Sequence, residues 1–483
     1  MKRMITLLLT LMLLLALPGC GGRDEAADTS LDSDRAFIHY GSLSEVCATE
    51  DTVYFTSGDL VHYYDKASGI SGILCGKAEC GHSTASGSSC NAYIGSISRK
   101  LQRYNERLYW LKIGGGVQIC SMALDGTDHR TDRTVERGFF SSNLGNWSAV
   151  LHRGAVYLWI IEYAIVDGEK AASFDMAVIP LDPDEAPYML FQEEISDLAT
   201  RYGPHVTMQG YQDGVYLITS LAGSHENEPD GAPDFYDLQI RRCDTATGEL
   251  TTLYHDRESS IAYTVEMWAM DDGIVFFGDE HQTRDDGSVD LRLGVYKFDY
   301  ARSALTPLFS PDWSASIGED LVVTGQYESE KSNPSNPWGL TLAPQDIERR
   351  GEFHVTLWNF AGELLLDASY PLEGHHQFPS FCGADDTYVY FFSDQTWGDN
   401  DGTTKYMSLI GVALDGSGME VLGTEEESYK YPGTHSSSKS TTTLDDGTTI
   451  IIENRKKITI IPPDGGETVT MTVEELLEKG YQP

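Results

Sequence analysis

The sequence predicts an all-β fold: a single β-propeller of eight four-stranded blades, with seven as the alternative count. Three observations carry this. A unit recurs along most of the chain, and its clearest copy runs from Asp271 to Leu308. There the turn Asp271-Asp272-Gly273 opens a β-rich run, Ile274–Phe277. A polar loop, the alternating run Leu293–Asp299, a turn at Tyr300–Ser303 and a short strand through Leu305 and Leu308 follow. Such a unit buries its apolar face only against a neighbour, so it belongs in a stack of copies. The turns are rich in Gly and Asp, the runs between them rich in Val, Tyr and Phe, and the units lack the 3.6-residue period of helical repeats. Copies start at intervals from the high forties to the high sixties of residues, longer than leucine-rich repeats and suited to four-stranded blades.

The chain opens with Lys2 and Arg3, then Ile5–Leu17, apolar apart from Thr6 and Thr10, then Pro18-Gly19-Cys20. This run is short of the roughly 20 residues of a membrane span and fits a signal-peptide core. Leu17, Gly19 and Cys20 resemble a bacterial lipobox, which makes residues 1–20 a lipoprotein signal peptide ending on a lipidated Cys20. The plainer alternative is an ordinary signal peptide with Cys20 a spare thiol. Both place the protein outside the cytoplasm, and the lipobox anchors it to the bacterial cell membrane through the lipid alone. Residues 21–36 carry almost no apolar content and read as a flexible acidic tether, about 20 Å end to end on average. The propeller is expected over 37–478.

With Lys+Arg 34 against Asp+Glu 74 the net charge is −40, and loss of Lys2 and Arg3 with the signal deepens it to −42. A field of that sign repels phosphate backbones and anionic head groups and excludes nucleic acid as a partner. It favours cations, cationic peptides or neutral ligands such as sugars. Solubility outside the cell explains the charge equally well.

The first copy has the turn Glu50-Asp51, strands Thr52–Phe55 and Leu60–Tyr64, and the turn Asp65–Gly69. The second has Asn105-Glu106, Arg107–Leu111, Val117–Leu124 and Asp125-Gly126. The third has Arg153-Gly154, Ala155–Ile161, Phe174–Leu181 and Asp182–Glu185. Gln212–Gly214, Val215–Thr219, Phe235–Arg242 and Asp244–Gly248 make the fourth, and Asp271 starts the fifth. The sixth runs through Gly318–Asp320, Leu321–Thr324, a long insert, His354–Asn359 and Ala361-Gly362. Ala384–Asp386, Thr387–Phe392, Tyr406–Leu414 and Asp415–Gly418 form the seventh. Asp445–Gly447, Thr448–Ile452, Ile458–Ile461 and Pro463–Gly466 form the eighth. A count of seven follows if the eighth copy shares a blade with the segment near Phe37–Tyr40. Val473–Lys479 reads as a helical tail.

Long connections are expected between second and third strands: Val166–Ala171, Ala222–Asp234, Asp279–Asp290, Glu328–Leu340 and Thr396–Thr404. They share a face with the links between blades, opposite a face of tight turns. Binding residues concentrate on variable loops over a rigid scaffold, so the site is expected there. Trp313, Trp338, Trp397, Tyr327, Phe235 and Tyr236 are placed in long or inter-blade loops beside Asp and Glu. Such platforms suit stacking on sugar rings or gripping a peptide; the competing reading is that each aromatic packs its own loop onto a blade.

The repeats and the segment Leu74-Cys75-Gly76-Lys77-Ala78-Glu79-Cys80-Gly81-His82 with Cys90-Asn91-Ala92 resemble uncharacterised β-propeller lipoproteins of Firmicutes-type bacteria. More distantly they are similar to TolB-like and low-density-lipoprotein-receptor propellers. Tyr109-Trp110 runs on into Leu111, a departure from the receptor-type repeat. The resemblance implies a fold and a location, and no activity.

Cys75, Cys80, His82 and Cys90 fall between the first and second copies. Outside the cytoplasm, two of the thiols are expected to form a disulfide, Cys75–Cys80 or Cys80–Cys90, leaving one to pair with Cys47 or Cys120. The sharper alternative is a Cys3His zinc site, structural because protein fills all four positions. Asp399-Asn400-Asp401-Gly402 has the flavour of a calcium loop, but Ser408 stands where a closing Glu belongs. It and the pairs Asp279-Glu280 and Asp285-Asp286 read as solvated turns before calcium sites. No G-x-S-x-G or H-E-x-x-H is present, and no residue is singled out as catalytic. His375-His376 reads as an exposed turn. The chain is therefore expected to bind a glycan or peptide or to act as a scaffold. Two alternatives stand beside this: a glycan- or peptide-cleaving hydrolase or lyase using carboxylates at the channel mouth, and a docking subunit of an envelope protein complex.

Overall fold

The computed structural model describes residues 46–472, except 50, 58–59, 83–88, 96–97, 114–115, 137–138, 140–146, 167–168, 226–232, 284–288, 313–314, 319, 330–348, 375–378, 400–401, 430–438, 444–447, 454–456, 464–465 and 467, together with 475. The expectations on Cys20, the tether and Phe37–Tyr40 lie outside these residues. Among the described residues no helix is long and apolar enough to cross a membrane.

Every expected pair of central strands is present, flanked by one strand on each side, in eight separate four-stranded antiparallel sheets. Seven of them close into a ring. Their first strands stand side by side around the axis: Val46–Ala48, Ser98–Tyr104, Trp147–His152, His205–Tyr211, Ile261–Ala269, Ala315–Gly318 and Ser380–Ala384, the last beside the first. The outer strand of blade seven, Met419–Tyr429, packs on that of blade one, Ile70–Ile73. The protein is thus a seven-bladed β-propeller. Eight is not the blade count, and the eighth copy shares no blade either. Its strands, Lys439–Thr443, Thr449–Glu453, Lys457–Ile461 and Val469–Thr472, form a sheet of their own outside the ring.

The seams explain the strand sequences. In blade three, the stretch Ala155–Ile161 of the strand Ala155–Val166 is apolar because both its faces are buried. Val156, Leu158 and Ile160 enter the core shared with blade two, while Tyr157, Trp159 and Ile161 enter the core shared with blade four. Successive strand residues point to opposite faces, so one run feeds two seams. A strand buried on both faces loses the alternation that a half-buried strand shows. Seven such cores separate the seven blades, the last joining Val53, Phe55 and Tyr64 of blade one to Tyr390, Phe392 and Leu422 of blade seven.

Polar side chains bridge the seams where inner strands face each other without a shared ladder. Gln102 accepts from the Leu151 amide (2.8 Å), Gln209 from the Ala269 amide (2.7 Å) and Glu266 from the Ile317 amide (2.6 Å). Each satisfies a buried donor that would otherwise cost free energy. Blades one and seven are joined by Lys66, whose Nζ lies 2.5 Å from Asp385 Oδ2 and 2.7 Å from the Thr49 carbonyl oxygen.

The two faces of the ring are built differently. The turn after the third strand is capped in every blade by an Asx side chain that accepts backbone N–H bonds: Asp65, Asp125, Asp182, Asp244, Asp299, Asn359 and Asp415. This is the mechanism by which Asp and Asn stabilise turns. On the opposite face, three expected loops are largely strand. Val166 pairs with Glu169 and Asp399 with Gly402, so the second and third strands of blades three and seven run twelve residues each and close on two. In blade five Thr283 pairs with Val289. Thr396, Thr403 and Thr404 are β-branched residues that favour a strand, which outweighs the turn-like Gly and Asp around them. The expected loops of blades four and six fall wholly or largely on 226–232 and 330–348, outside the described residues.

One short helix, Asp197–Tyr202, lies in the link between blades three and four. Ser196 caps it by accepting from the Ala199 amide at 3.1 Å. At six residues it is too short to show a period in sequence. Thr472 and Glu475 exchange side-chain to amide bonds (2.9 and 3.1 Å), a capping box at the start of the expected helical tail.

Candidate functional site

The link from blade one to blade two, residues 74–97, gathers the four cysteine and histidine candidates. Both ends of it are tied to the start of blade one's third strand, Leu60–Asp65. The Leu74 amide donates to the Val61 carbonyl oxygen and the Val61 amide to that of Ala92, each at 2.9 Å, and Tyr93 bridges Leu60. Cys75 and Cys90 are thereby brought together although fifteen positions separate them. The Cys80 amide donates to the Lys77 carbonyl oxygen at 3.1 Å in a turn that doubles the chain back. Leu74, Cys90, Ala92 and Ile94 are buried in the seam with Leu101, Leu108, Trp110 and Met122 of blade two. From that blade, His129 bonds the Asn91 carbonyl oxygen. Gly126, at φ +77°, lies so close to the Leu74 carbonyl oxygen that a Cβ there would overlap it.

The Sγ atoms of Cys75, Cys80 and Cys90 and a ring nitrogen of His82 all lie within 4.8 Å of one another. Among the described residues this is the only grouping of three or more such donors close enough to share an ion. Cys90 Sγ is 3.7 Å from His82 Nδ1. His82 takes a left-handed backbone, φ +48°, a conformation His adopts more readily than most residues. Burial raises the Cys75 thiol, but the Lys77 and Asn91 amides donating to its sulfur, with Cys80 and Cys90 beside it, bring it below its ordinary value. Burial pushes Cys90 up to about 12, against the Ala92 amide that donates to it. No disulfide joins the described cysteines. Cys47 and Cys120 sit in the same apolar seam, where burial raises both thiols, Cys47 to about 11. Neither belongs to the group of four.

The aromatic candidates do not assemble into one platform. Trp313 and Trp338 lie outside the described residues. Tyr327 and Trp397 stand in strands, Leu321–Ser329 and Tyr388–Asp399, rather than in loops. Tyr236 is 3% exposed, with its hydroxyl 3.1 Å from His281 Nδ1, so it packs the blade and offers no open face. Phe235 is half-buried against the His225 ring, centroids 4.9 Å apart, at the base of 224–234. Asp234 closes that base by accepting from Ser224 Oγ (2.8 Å) and the His225 amide (2.9 Å). Beside it burial lowers His205, to about 4, and His281.

Asp279 and Glu280 are consecutive residues of the strand Gly273–Thr283 and so face opposite ways; Glu280 accepts from Ser260 Oγ at 3.0 Å. They form no calcium pair. Asn400, Asp401, Asp285, Asp286, His375 and His376 lie outside the described residues. The sequence reading missed the Tyr236–His281 pair and the seam-bridging Gln102, Gln209 and Glu266. Their one signal is a long polar side chain two or three positions before the end of a blade's inner strand.

No protein-family model matches the chain, and no curated protein does. Among solved structures it is similar to a prolyl endopeptidase, at 10% identity and TM-score 0.39 over 87% of this chain and 54% of that one. An acylaminoacyl peptidase of Pyrococcus horikoshii aligns at 10% identity and TM-score 0.42, over 86% and 57%. A Synechocystis apocarotenoid oxygenase aligns at 9% identity and TM-score 0.32, over 70% and 72%. The chain spans little more than half the length of the two peptidases. The class of the protein, a seven-bladed β-propeller, rests on its own ring of seams.

Proposed function

We propose that the chain is an extracytoplasmic propeller lipoprotein, anchored to the cell membrane through Cys20. It works as a binding or scaffold module for a glycan or peptide. The binding surface is the face of the second-to-third-strand hairpins and blade links. One observation carries this choice of face: on the opposite face all seven third-strand turns use their Asx side chains to hold their own backbone. Those groups are committed to the fold, whereas on the other face the number of residues between the second and third strands differs from blade to blade. Variation over a rigid scaffold is where recognition is built. The acidic surface suits neutral sugars or basic peptides over anionic partners.

A thermal-shift screen of the full-length chain in detergent tests the reading, with cell-wall fragments, plant and host glycans and basic peptides. A ligand at 100 times its Kd adds about 2.7 kcal/mol of stability. Phe235→Ala and Trp397→Ala should weaken a hit that Asp244→Asn, on the tight-turn face, leaves alone. Binding that follows Asp244 instead, or no response to any class, refutes it. Retention of Cys20→Ala in the membrane fraction refutes the anchor.

A further inference from the structure

We propose that Cys75, Cys80, His82 and Cys90 hold one zinc-class divalent ion as a closed, structural Cys3His centre that pins the link between blades one and two into their seam. Four single-atom donors converge there within 4.8 Å, and the 3.7 Å from Cys90 Sγ to His82 Nδ1 is close to the edge of a tetrahedron. With Zn–S of about 2.3 Å and Zn–N of about 2.0 Å that edge is about 3.5 Å.

A disulfide would use two of the three sulfurs and leave a thiol and an imidazole pointing at the same place for no reason. Three sulfurs and one nitrogen select a thiophilic tetrahedral ion. Calcium, which takes six to eight oxygen ligands, is the wrong size and hardness. No position is left for water or substrate, so the centre stabilises and does not catalyse.

Binding is balanced simply. The three thiol protons pass to solvent, three Zn–S bonds and one Zn–N bond form, and no electron moves. The mechanical sense lies in the link itself. Leu74 and Ala92 are fastened to Val61 at its two ends, and the ion would fasten what lies between. The metal then acts as the third attachment of a segment that is itself part of the seam core.

The test uses the full-length chain purified in detergent without chelator. Metal analysis should find one zinc per chain, and thiol titration after denaturation with chelator should find Cys75, Cys80 and Cys90 all reduced. Exchange with cobalt(II) should give the sulfur-to-metal charge-transfer band and the intense ligand-field bands of a tetrahedral thiolate site. Cys80→Ser and His82→Asn, both at partly exposed positions where misfolding is less of a hazard than at buried Cys90, should each weaken zinc retention. The loss should exceed the about 10–100-fold that outer-shell changes cause. Cys243→Ser in blade four should keep the zinc. Three outcomes overturn the proposal: a disulfide between any two of the three cysteines in native protein, reduced protein that takes up no zinc or cobalt, or a metal content indifferent to Cys80→Ser and His82→Asn.

Discussion

Replacing Lys66 with Met should loosen the ring where blade seven meets blade one. Lys66 Nζ lies 2.5 Å from Asp385 Oδ2, and the two side chains are only 21% and 14% exposed. The pair is partly buried, so removing one partner should cost less than the about 3–5 kcal/mol of a fully buried pair and more than the at most about 1 kcal/mol of an exposed one. Asp385 keeps the Tyr390 hydroxyl (2.5 Å) and the Thr387 and Tyr388 amides (2.8 Å each), which places the cost toward the low end of that interval, about 2 kcal/mol. Methionine keeps a side chain of similar length while removing the ammonium that stands 5.9 Å from the Tyr390 ring centroid, so the change reads the charge rather than the volume. Urea denaturation at neutral pH measures it. The control is Lys297→Met: Lys297 pairs with the exposed Asp272 at 2.6 Å, a surface bridge worth at most about 1 kcal/mol. In Lys66→Met with Asp385→Asn the penalty should fall by about 1 kcal/mol, since no charge is then stranded. Equal costs for Lys66→Met and Lys297→Met would refute the reasoning.

The same pair sets an acid limit. Burial raises the Asp385 carboxyl, but the bonds from Lys66, Tyr390 and the two amides outweigh it and hold its folded pKa below the ordinary value. Its contribution is therefore complete above the unfolded pKa, about 3.9, and is lost as pH falls through the folded value. In Lys66→Met the loss should begin at higher pH, read as a displaced acid-unfolding midpoint.

Gly126→Ala forces a side chain into a left-handed turn against the Leu74 carbonyl oxygen; it should cost about 2–4 kcal/mol and speed alkylation of Cys75 and Cys80, read by mass spectrometry. Gln209→Leu removes the acceptor for the buried Ala269 amide and should cost about 1–3 kcal/mol in chemical denaturation. Ending the chain after Tyr429 deletes the eighth sheet; because the ring closes without it, cooperative unfolding at a similar urea midpoint is expected, and collapse of the β signal would overturn the seven-bladed closure.

The strands were legible because turn chemistry and β-branched, aromatic runs are local properties. Thr52, Leu60, Arg107, Ala155, Phe235, Leu293 and Leu321 all stand in the expected strands, most at an end. The blade count was not legible, since nothing local distinguishes a unit that packs on both sides from one that stands apart. Val53 and Phe55 meet Phe392 and Leu422, far off in the chain, and that contact excludes the eighth copy. The Cys/His residues could be named from their chemistry. Their convergence depends on Val61 bonding both ends of the link, which spacing does not reveal. Tyr236 looked like a loop aromatic and is a packing residue, because the hairpin of blade four continues through it.

Among the described residues the ring closes without exchanging a strand between its first and last blades. Each blade is a single uninterrupted stretch of chain, and the innermost strand of blade one, Val46–Ala48, is three residues paired to Val53–Phe55. A pull on the N-terminal side would therefore reach the ring through its shortest described strand and act first on the seam between blades seven and one. In mechanical terms the closure seam is a fuse. It would give way while the other six seams hold, opening the ring into a horseshoe that the Lys66 and Asp385 clasp can close again.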